Sequence, residues 1–355
     1  MARVTLQTIA DQVGVSRMTV SNAFSRPDQL SAQLRSTILE AATELGYAGP
    51  DPAARNLARG TTGAVGVLLT DSLRYAFDDD VATGFLAAVA TGVAPTGLAI
   101  TLLSSTDVEG VIPARDVAMD GAVVYSCDPD TTAVDWLSRR GLPVVYADQE
   151  PTPGVPCVNV DDRGGARAAA QHLVDLGHRR VAVMTAAVGV GTGVLDDPHA
   201  DLAAAKYVSR ERVLGYFDAL DAAGVTPVVH RQRHSDDEEA YAAALRLLGG
   251  EDRPTGVLCF SDVIAHGVVR AAEELGLEVP RDLSVVGFDD SPLAHRLRPR
   301  LSTVHQDVRE KGRLAAAALR TAMDHHRAGT TGPAEHVVLP TELVVRDSTA
   351  APPAS

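Results

Sequence analysis

The chain has 355 residues and a net charge of −14, with 45% hydrophobic and only 4% aromatic residues. That composition excludes a disordered chain and leaves room for a small domain beside a larger one with a substantial core. The acidity is uneven: residues 1–60 sum to +1 and the rest to −15, so the N-terminal part escapes the repulsion a uniformly acidic chain has for nucleic acid.

Cys127, Cys157 and Cys259 lie far apart with no C-x-x-C spacing. They read as reduced thiols of a cytoplasmic protein, not as a disulfide frame or a metal site. The opening "MARVTLQTIADQVG" has no apolar core of a secretory signal. Residues 81–106 carry no charge over a length that can span a bilayer, but "VAPTG" divides them at Pro95 and Gly97. We read an Ala-rich helix followed by the strand "LAITLL", and no membrane span.

In chain order, "TLQTIADQVG" predicts a helix capped by Thr5, with Leu6, Ile9, Ala10 and Val13 on one face and Gly14 at its end. Ser16 caps a second helix, Arg17 to Phe24, with Val20 inward. Ala10, Gly14 and Val20 then stand at helix-turn-helix spacing. Ser31 caps a third helix with the stripe Leu34, Ile38, Leu39, Ala42 and Leu45, ended by Gly46. The second helix buries only Val20, Ala23 and Phe24, and turns Arg17, Met18, Ser21 and Asn22 outward, groups suited to base edges and phosphates in a major groove. The same bundle also suits a plain interaction module. "DPAARNLARG" follows with Asp51 as cap, Pro52 at the first helical position and Gly60 beyond the end. This two-turn helix needs a partner or DNA to persist. Leu57 beside Arg55 and Arg59 matches an apolar wedge for a minor groove, or else a linker with a stray leucine.

Residues 4–60, in "VTLQTIADQVGVSRMTVSNAF" and "LGYAGPDPAARNLARG", resemble the DNA-binding head and hinge of the lactose-repressor (LacI/GalR) family. The resemblance implies that the head binds one half-site of a palindromic operator and that paired hinge leucines insert at its centre. By position, Arg17, Met18 and Asn22 are implied as base readers. Thr5, Ser16, Thr19, Ser21 and Ser31 are implied as phosphate contacts, with Arg55 beside the wedge Leu57. Asn22 departs from the family, where Arg is common.

From residue 63 the chain alternates continuous apolar runs ("AVGVLLT", "LAITLL", "GAVVYS", "LPVVYA", "RRVAVMT", "TGVLCF", "LSVVGF") with amphipathic helices. Such runs are buried parallel strands, and some 280 residues of βα units predict two parallel-sheet subdomains. Ligands in such folds bind beyond the carboxyl ends of the strands. Asp71, Ser126, Asp148, Ser261, Asp262, Asp289 and Asp290 all follow strands. With little cationic compensation nearby in sequence, they suggest a cleft that accepts hydrogen bonds from the hydroxyls of a sugar or nucleoside. A single such aspartate is ordinarily a helix cap.

The family resemblance continues to about residue 348 through "DDRGGARAAAQHLVDLGHRRVAVMT", "FSDVIAHGVVRAAEELGLEVPRDLSVVGFDD" and "LSTVHQD", similar to the family's periplasmic-binding-protein-like core. It implies Asp148, Arg212 and Asp289 as effector-binding residues, and Gln306 is a further candidate at the same site. Ser261 replaces a usual Asn, and Val308 a frequent aromatic. Tyr75 and Phe77 offer a stacking surface or loop packing instead. Residues 187–206 read as an inserted mobile loop, since G-x-G-x-G with no helix after it is not a dinucleotide fingerprint.

The expected organisation is a head over 1–50, a hinge over 51–62, a core over 63–348 and a disordered tail over 349–355. Within the core, one subdomain takes about 63–161 and 308–327, the other about 162–304 and 328–348. The expected function is a homodimeric transcriptional regulator, with a repressor reading first, whose operator affinity follows a small polar effector. No cofactor, metal or catalytic group is expected. The alternative is a carbohydrate-binding protein or an enzyme on the same core with a non-specific head. No G-x-S-x-G elbow or H-E-x-x-H pair supports the enzyme.

Overall fold

The computed structural model describes residues 4–49, 60–69, 73–105, 110–127, 131–186, 191–197, 199, 202 and 205–354, apart from the side chain of Tyr75. It divides into two compact units, Met1–Gly63 and Ala64–Ser355.

The first unit is the expected head. Its helices span Leu6–Val13, Arg17–Ser25 and Ala32–Glu44. Their starts are fixed by hydroxyls accepting from free backbone N–H groups: Thr5 from Thr8, Ser16 from Thr19 and Ser31 from Leu34. Gly14 turns the chain at φ 76°, a left-handed conformation that favours glycine. Ile9, Ala10, Val20, Ala23, Ile38, Ala41 and Ala42 form the buried core. Leu39 is a correction: it sits half-buried beside Ser36, Glu40, Thr43 and Glu44, and Ala41 occupies the core in its place. The helical stripe is one residue out because Leu, the larger side chain, misleads a periodicity read from size. Arg55 and Leu57 lie outside the described residues.

Among the described residues the second unit holds thirteen strands. In chain order they are β1 (Ala64–Leu69), β2 (Ala99–Ser104), β3 (Ala122–Tyr125), β4 (Val144–Ala147), β5 (Cys157–Val160), β6 (Val181–Ala186), β7 (Gly193–Val194), β8 (Val228–Gln232), β9 (Gly256–Cys259), β10 (Ser284–Asp289), β11 (Ser302–Gln306), β12 (His336–Leu339) and β13 (Thr341–Val344). One sheet runs β12-β5-β4-β3-β1-β2, all parallel; the other runs β13-β11-β10-β9-β6-β8-β7, antiparallel only at its two edge strands. Each sheet buries both faces, which is why its central strands are apolar throughout.

The chain passes between the sheets three times, after β5, after β11 and after β12. The third crossing corrects the expected subdomain limits. The Val308–Ala328 helix lies on the first sheet, and β12 then pairs with β5 before β13 returns to the second sheet. The first and third crossings are tied together: Asp161 N donates to Leu339 O at 2.9 Å, and Thr341 Oγ1 donates to Asp161 O at 2.9 Å.

Two local expectations also change. The insertion read as a mobile loop supplies β7, an antiparallel edge on β8, and Leu195 packs into the core beside it. Thr349 and Ala350, at the start of the stretch read as a tail, are docked. His172 Nε2 meets Thr349 Oγ1 at 2.9 Å, and Ala350 O accepts from Ser284 Oγ at 3.0 Å.

Helices approach closely where glycine permits it. A Cβ on Gly215 would stand 2.2 Å from Arg163 O, and one on Gly312 would stand 2.6 Å from Ala88 Cβ. Gly215→Ala therefore forces the Tyr207–Ala222 and Asp162–Asp175 helices apart. It is expected to cost about 1–3 kcal/mol, read as a lowered urea midpoint; an unchanged midpoint would mean that these helices can part freely.

Candidate functional site

The head presents a polar face from the start of its second helix. Met18 is 69% exposed and Arg17 is exposed beside it, whereas Val20 and Ala23 are buried on the opposite side. Ser16 and Thr19 hydroxyls meet at 2.8 Å, while Asn22 donates through Nδ2 to Gln29 Oε1 at 3.2 Å. Thr5 and Ser31 are exposed caps; Ser21 is half-buried, its carbonyl accepting from Ser25 Oγ at 2.8 Å. Three hydroxyl-capped helix starts and one exposed Arg–Met pair are thus brought onto one small bundle. Uncancelled N–H dipoles at such starts favour phosphate.

The larger unit contains a cavity lined from both sheets. Ser126 follows β3, Asp148 follows β4, Asp289 ends β10 and Gln306 ends β11. Ser126, Asp148 and Asp289 hold φ angles of 52°, 53° and 106° without being glycine, as does Asp290 at 51°. Backbone in this region is strained, and among the described residues these four non-glycine positions all fall at strand ends.

Charge compensation comes from distant parts of the chain, which corrects the picture of isolated carboxylates. Lys311 is fully buried, and its Nζ donates to Asp148 Oδ2 and, at 2.9 Å, to Gln306 Oε1. Gln306 Nε2 donates to Asp289 Oδ1 at 2.7 Å. Arg212 Nε donates to Asp162 Oδ1 at 2.8 Å, and its Nη1 to Asp289 Oδ1 at 3.2 Å and to Phe260 O at 2.5 Å. One connected chain of donors and acceptors therefore runs from the first sheet to the second. At the cavity end it is incomplete: Asp148, 7% exposed, has no partner for Oδ1 among the described residues.

Burial dominates the ionisation of this cluster. It raises Asp162 to about 6 and Asp289 to about 7, in both cases against the pull of Arg212. It raises Asp262 to about 8, with the Asp289 charge adding to the effect. Asp79 is raised for the same reason, although backbone N–H groups of Ala82 and Val81 oppose the shift.

Of the residues expected at the effector site, Ser126, Asp148, Arg212, Ser261, Asp289 and Gln306 line the cavity. Asp262 lies behind it. Its Oδ1 accepts from Thr303 Oγ1 at 2.6 Å and its Oδ2 from Ser291 N at 2.7 Å, so it braces the loop after β10. Phe77 is 59% exposed and off the cavity wall, and Val308 packs into the first sheet's core. Asp71 and the side chain of Tyr75 lie outside the described residues. The aromatic walls are Tyr125 and Phe260. Sequence reading missed Asp79, Lys206, Ser209, Arg233, Ser235 and Lys311. Only Asp79 carried a signal, as a cap before a helix that is uncharged after Asp80.

Among the described residues no group of His, Cys, Asp and Glu is arranged to hold a metal ion, and no helix is long and apolar enough to cross a membrane.

Comparison with known proteins follows this geometry closely. Residues 5–49 match bacterial regulatory proteins of the lacI family, and residues 170–349 match a periplasmic binding protein-like domain. An HTH-type transcriptional regulator of Mycolicibacterium smegmatis is 38% identical, covering 99% of this chain and 98% of its own. The crystal structure of a LacI family transcriptional regulator from Corynebacterium glutamicum matches at TM-score 0.70 and 33% identity, with 99% of each chain covered. A CelR–cellobiose complex matches at TM-score 0.69 and 28% identity, with 98% of this chain and all of that one covered.

Lys311→Met leaves Asp148 a buried carboxylate with its cation gone. It is expected to destabilise the core by about 3–5 kcal/mol, and Asp148→Asn placed on top of it should return part of that loss. A Lys311→Met protein with wild-type thermal stability would show the pair to be dispensable.

Proposed function

The chain belongs to the lacI family of bacterial regulatory proteins, and from that premise we propose that it is a dimeric, operator-binding regulator controlled by a small polyhydroxylated effector in the cavity between its two sheets. It is a DNA-binding transcriptional regulator and not an enzyme, as its relatives are. The observation that carries the effector reading is Asp148: one oxygen is held by Lys311, and the other is buried, unpartnered and on the cavity wall. A buried acceptor left unmet costs about 1–3 kcal/mol, which a ligand hydroxyl relieves. The cellobiose named with CelR is a ligand of this chemical kind.

Two heads on a palindrome require two copies of the chain, since half-sites about one helical turn apart mirror a two-fold axis. Arg17 then reaches a guanine edge, with Met18 and Asn22 beside it. Ser16, Thr19 and the caps Thr5 and Ser31 hold phosphates, as does Ser21, and Leu57 with Arg55 serves the operator centre. Effector binding changes the relation of the two sheets and, through it, the operator affinity; a coupling of about 1–3 kcal/mol suffices. The repressor mode is the reading we favour because it asks only that one state bind DNA better than the other.

Selection of random duplexes on the full chain is expected to enrich a palindrome. On that duplex Arg17→Ala should weaken binding roughly 5- to 150-fold while leaving the thermal transition of the core in place. Equal binding by both proteins would remove Arg17 from base reading, and no enriched sequence would overturn the operator reading.

A further inference from the structure

The second helix of the head ends in a segment held from several sides. Ser25 Oγ closes the Ser21 carbonyl, Arg26 N donates to Asn22 O at 2.8 Å, and Arg35 Nε donates to Ala23 O at 3.4 Å. Pro27–Gln29 then forms a single 3₁₀ turn. Proline fixes its own φ there, while Gln29 N donates to Arg26 O at 3.1 Å and Leu30 N to Pro27 O at 3.3 Å. The turn folds the chain back, so that Gln29 meets a side chain seven positions earlier: Asn22 Nδ2 donates to Gln29 Oε1 at 3.2 Å.

Asn22 stands one helical turn beyond the exposed Met18, and so on the same side of the helix, away from the buried Val20 and Ala23. A surface asparagine ordinarily turns its amide freely. Here one Nδ2 proton is given to Gln29, so the two ends of the amide are no longer interchangeable. That leaves Oδ1 as an acceptor and the second Nδ2 proton as a donor. The four bases differ in what they offer such a pair in the major groove. Adenine presents the N6 donor beside the N7 acceptor, and guanine presents two acceptors; thymine shows an acceptor and a methyl, and cytosine a donor.

We propose that Asn22 reads an adenine in each half-site, and that Gln29 is the positioning residue that sets its amide for that base. This rests on the operator reading above and adds to it the identity of one base and the residue that selects it. Asn22 Oδ1 accepts from adenine N6 and its second Nδ2 proton goes to N7, two bonds to one base edge. Guanine would set its O6 against Oδ1, acceptor facing acceptor. Thymine and cytosine each satisfy one bond of the two. Because Gln29 holds the amide before DNA arrives, less side-chain freedom is lost on binding. Gln29 itself touches no base in this arrangement and acts only through Asn22.

The test is selection of random duplexes on the full chain, then titration of the enriched duplex and its single-base variants with wild type, Asn22→Ala, Gln29→Met and Gln29→Glu. The position whose preference Asn22→Ala removes is the one Asn22 reads. It is expected to be an A·T pair, favoured roughly 5- to 150-fold over G·C. Replacing that adenine by 7-deaza-adenine, which lacks the N7 acceptor, should weaken wild type and leave Asn22→Ala unchanged. Gln29→Met keeps the length without the carbonyl and should cut the preference roughly 2- to 10-fold at that position alone. Gln29→Glu can only accept, so it should return part of the preference even as its charge weakens binding to every duplex. Ratios between duplexes do not depend on how much protein is folded, so a merely destabilised head does not produce this pattern. A G·C pair at the Asn22 position, or full indifference to 7-deaza-adenine, would overturn the adenine reading while operator binding stands. A preference untouched by Gln29→Met would overturn the positioning role. No enriched sequence at all would overturn the operator reading, and this one with it.

Discussion

The two halves of the core are joined by a buried positive charge. Lys311 stands on the helix that covers the first sheet, donates to Asp148 at the end of β4 and, through Gln306, reaches Asp289 at the end of β10. An ammonium fully withdrawn from water is tolerated only when its donors are matched, because desolvation of each ion costs several kcal/mol. The match here needs residues from both sheets at once. Separating the sheets strips Lys311 of Gln306, and retuning Asp148 alters what Lys311 can give to Gln306. A ligand on Asp148 therefore acts on the joint itself and not merely on a surface near it.

Topology makes such a joint workable. Three chain crossings lie side by side, with the first and third hydrogen-bonded through Asp161, so the sheets can reorient without losing their own cores. Each sheet is closed on both faces, and interiors packed at crystal-like density move as bodies. The positive-φ residues at Ser126, Asp148, Asp289 and Asp290 fall at the strand ends that face the crossings. Strain held there is held by the network, since Asp289 accepts from Gln306 and Arg212 while Asp290 accepts from Arg346 Nη2 at 2.5 Å.

How much of this was legible in the sequence depends on the distance over which each feature is decided. The head was legible almost residue by residue, because caps and helical faces are fixed within three or four positions; Leu39 was the exception. The central strands were legible as apolar runs. The edge strands β12 and β13 were not, since exposed residues such as His336 and Glu342 interrupt their apolar character. That gap misplaced the third crossing. Asp148, Arg212 and Asp289 were reached by resemblance and by the strand-end rule. Lys311 was invisible: its partner lies 163 positions away, and a lysine amid "VREKGRLAAA" reads as the solvated side of a helix. Arg233 hid for a similar reason, in a charged run whose position over the cavity is set only by the strand order.

The acidity of the whole chain no longer weighs against DNA. Long-range charge is screened over about 8 Å at physiological salt, so what a phosphate meets is the local start of a helix and not the −15 carried beyond residue 60. The same physics operates at the helix starts of the head. There, each of three helix starts is capped by a single hydroxyl, which leaves further backbone N–H groups open to an anion. A head that sums to only +1 thus depends on such N–H groups, as well as on its arginines, for any affinity it has for phosphate.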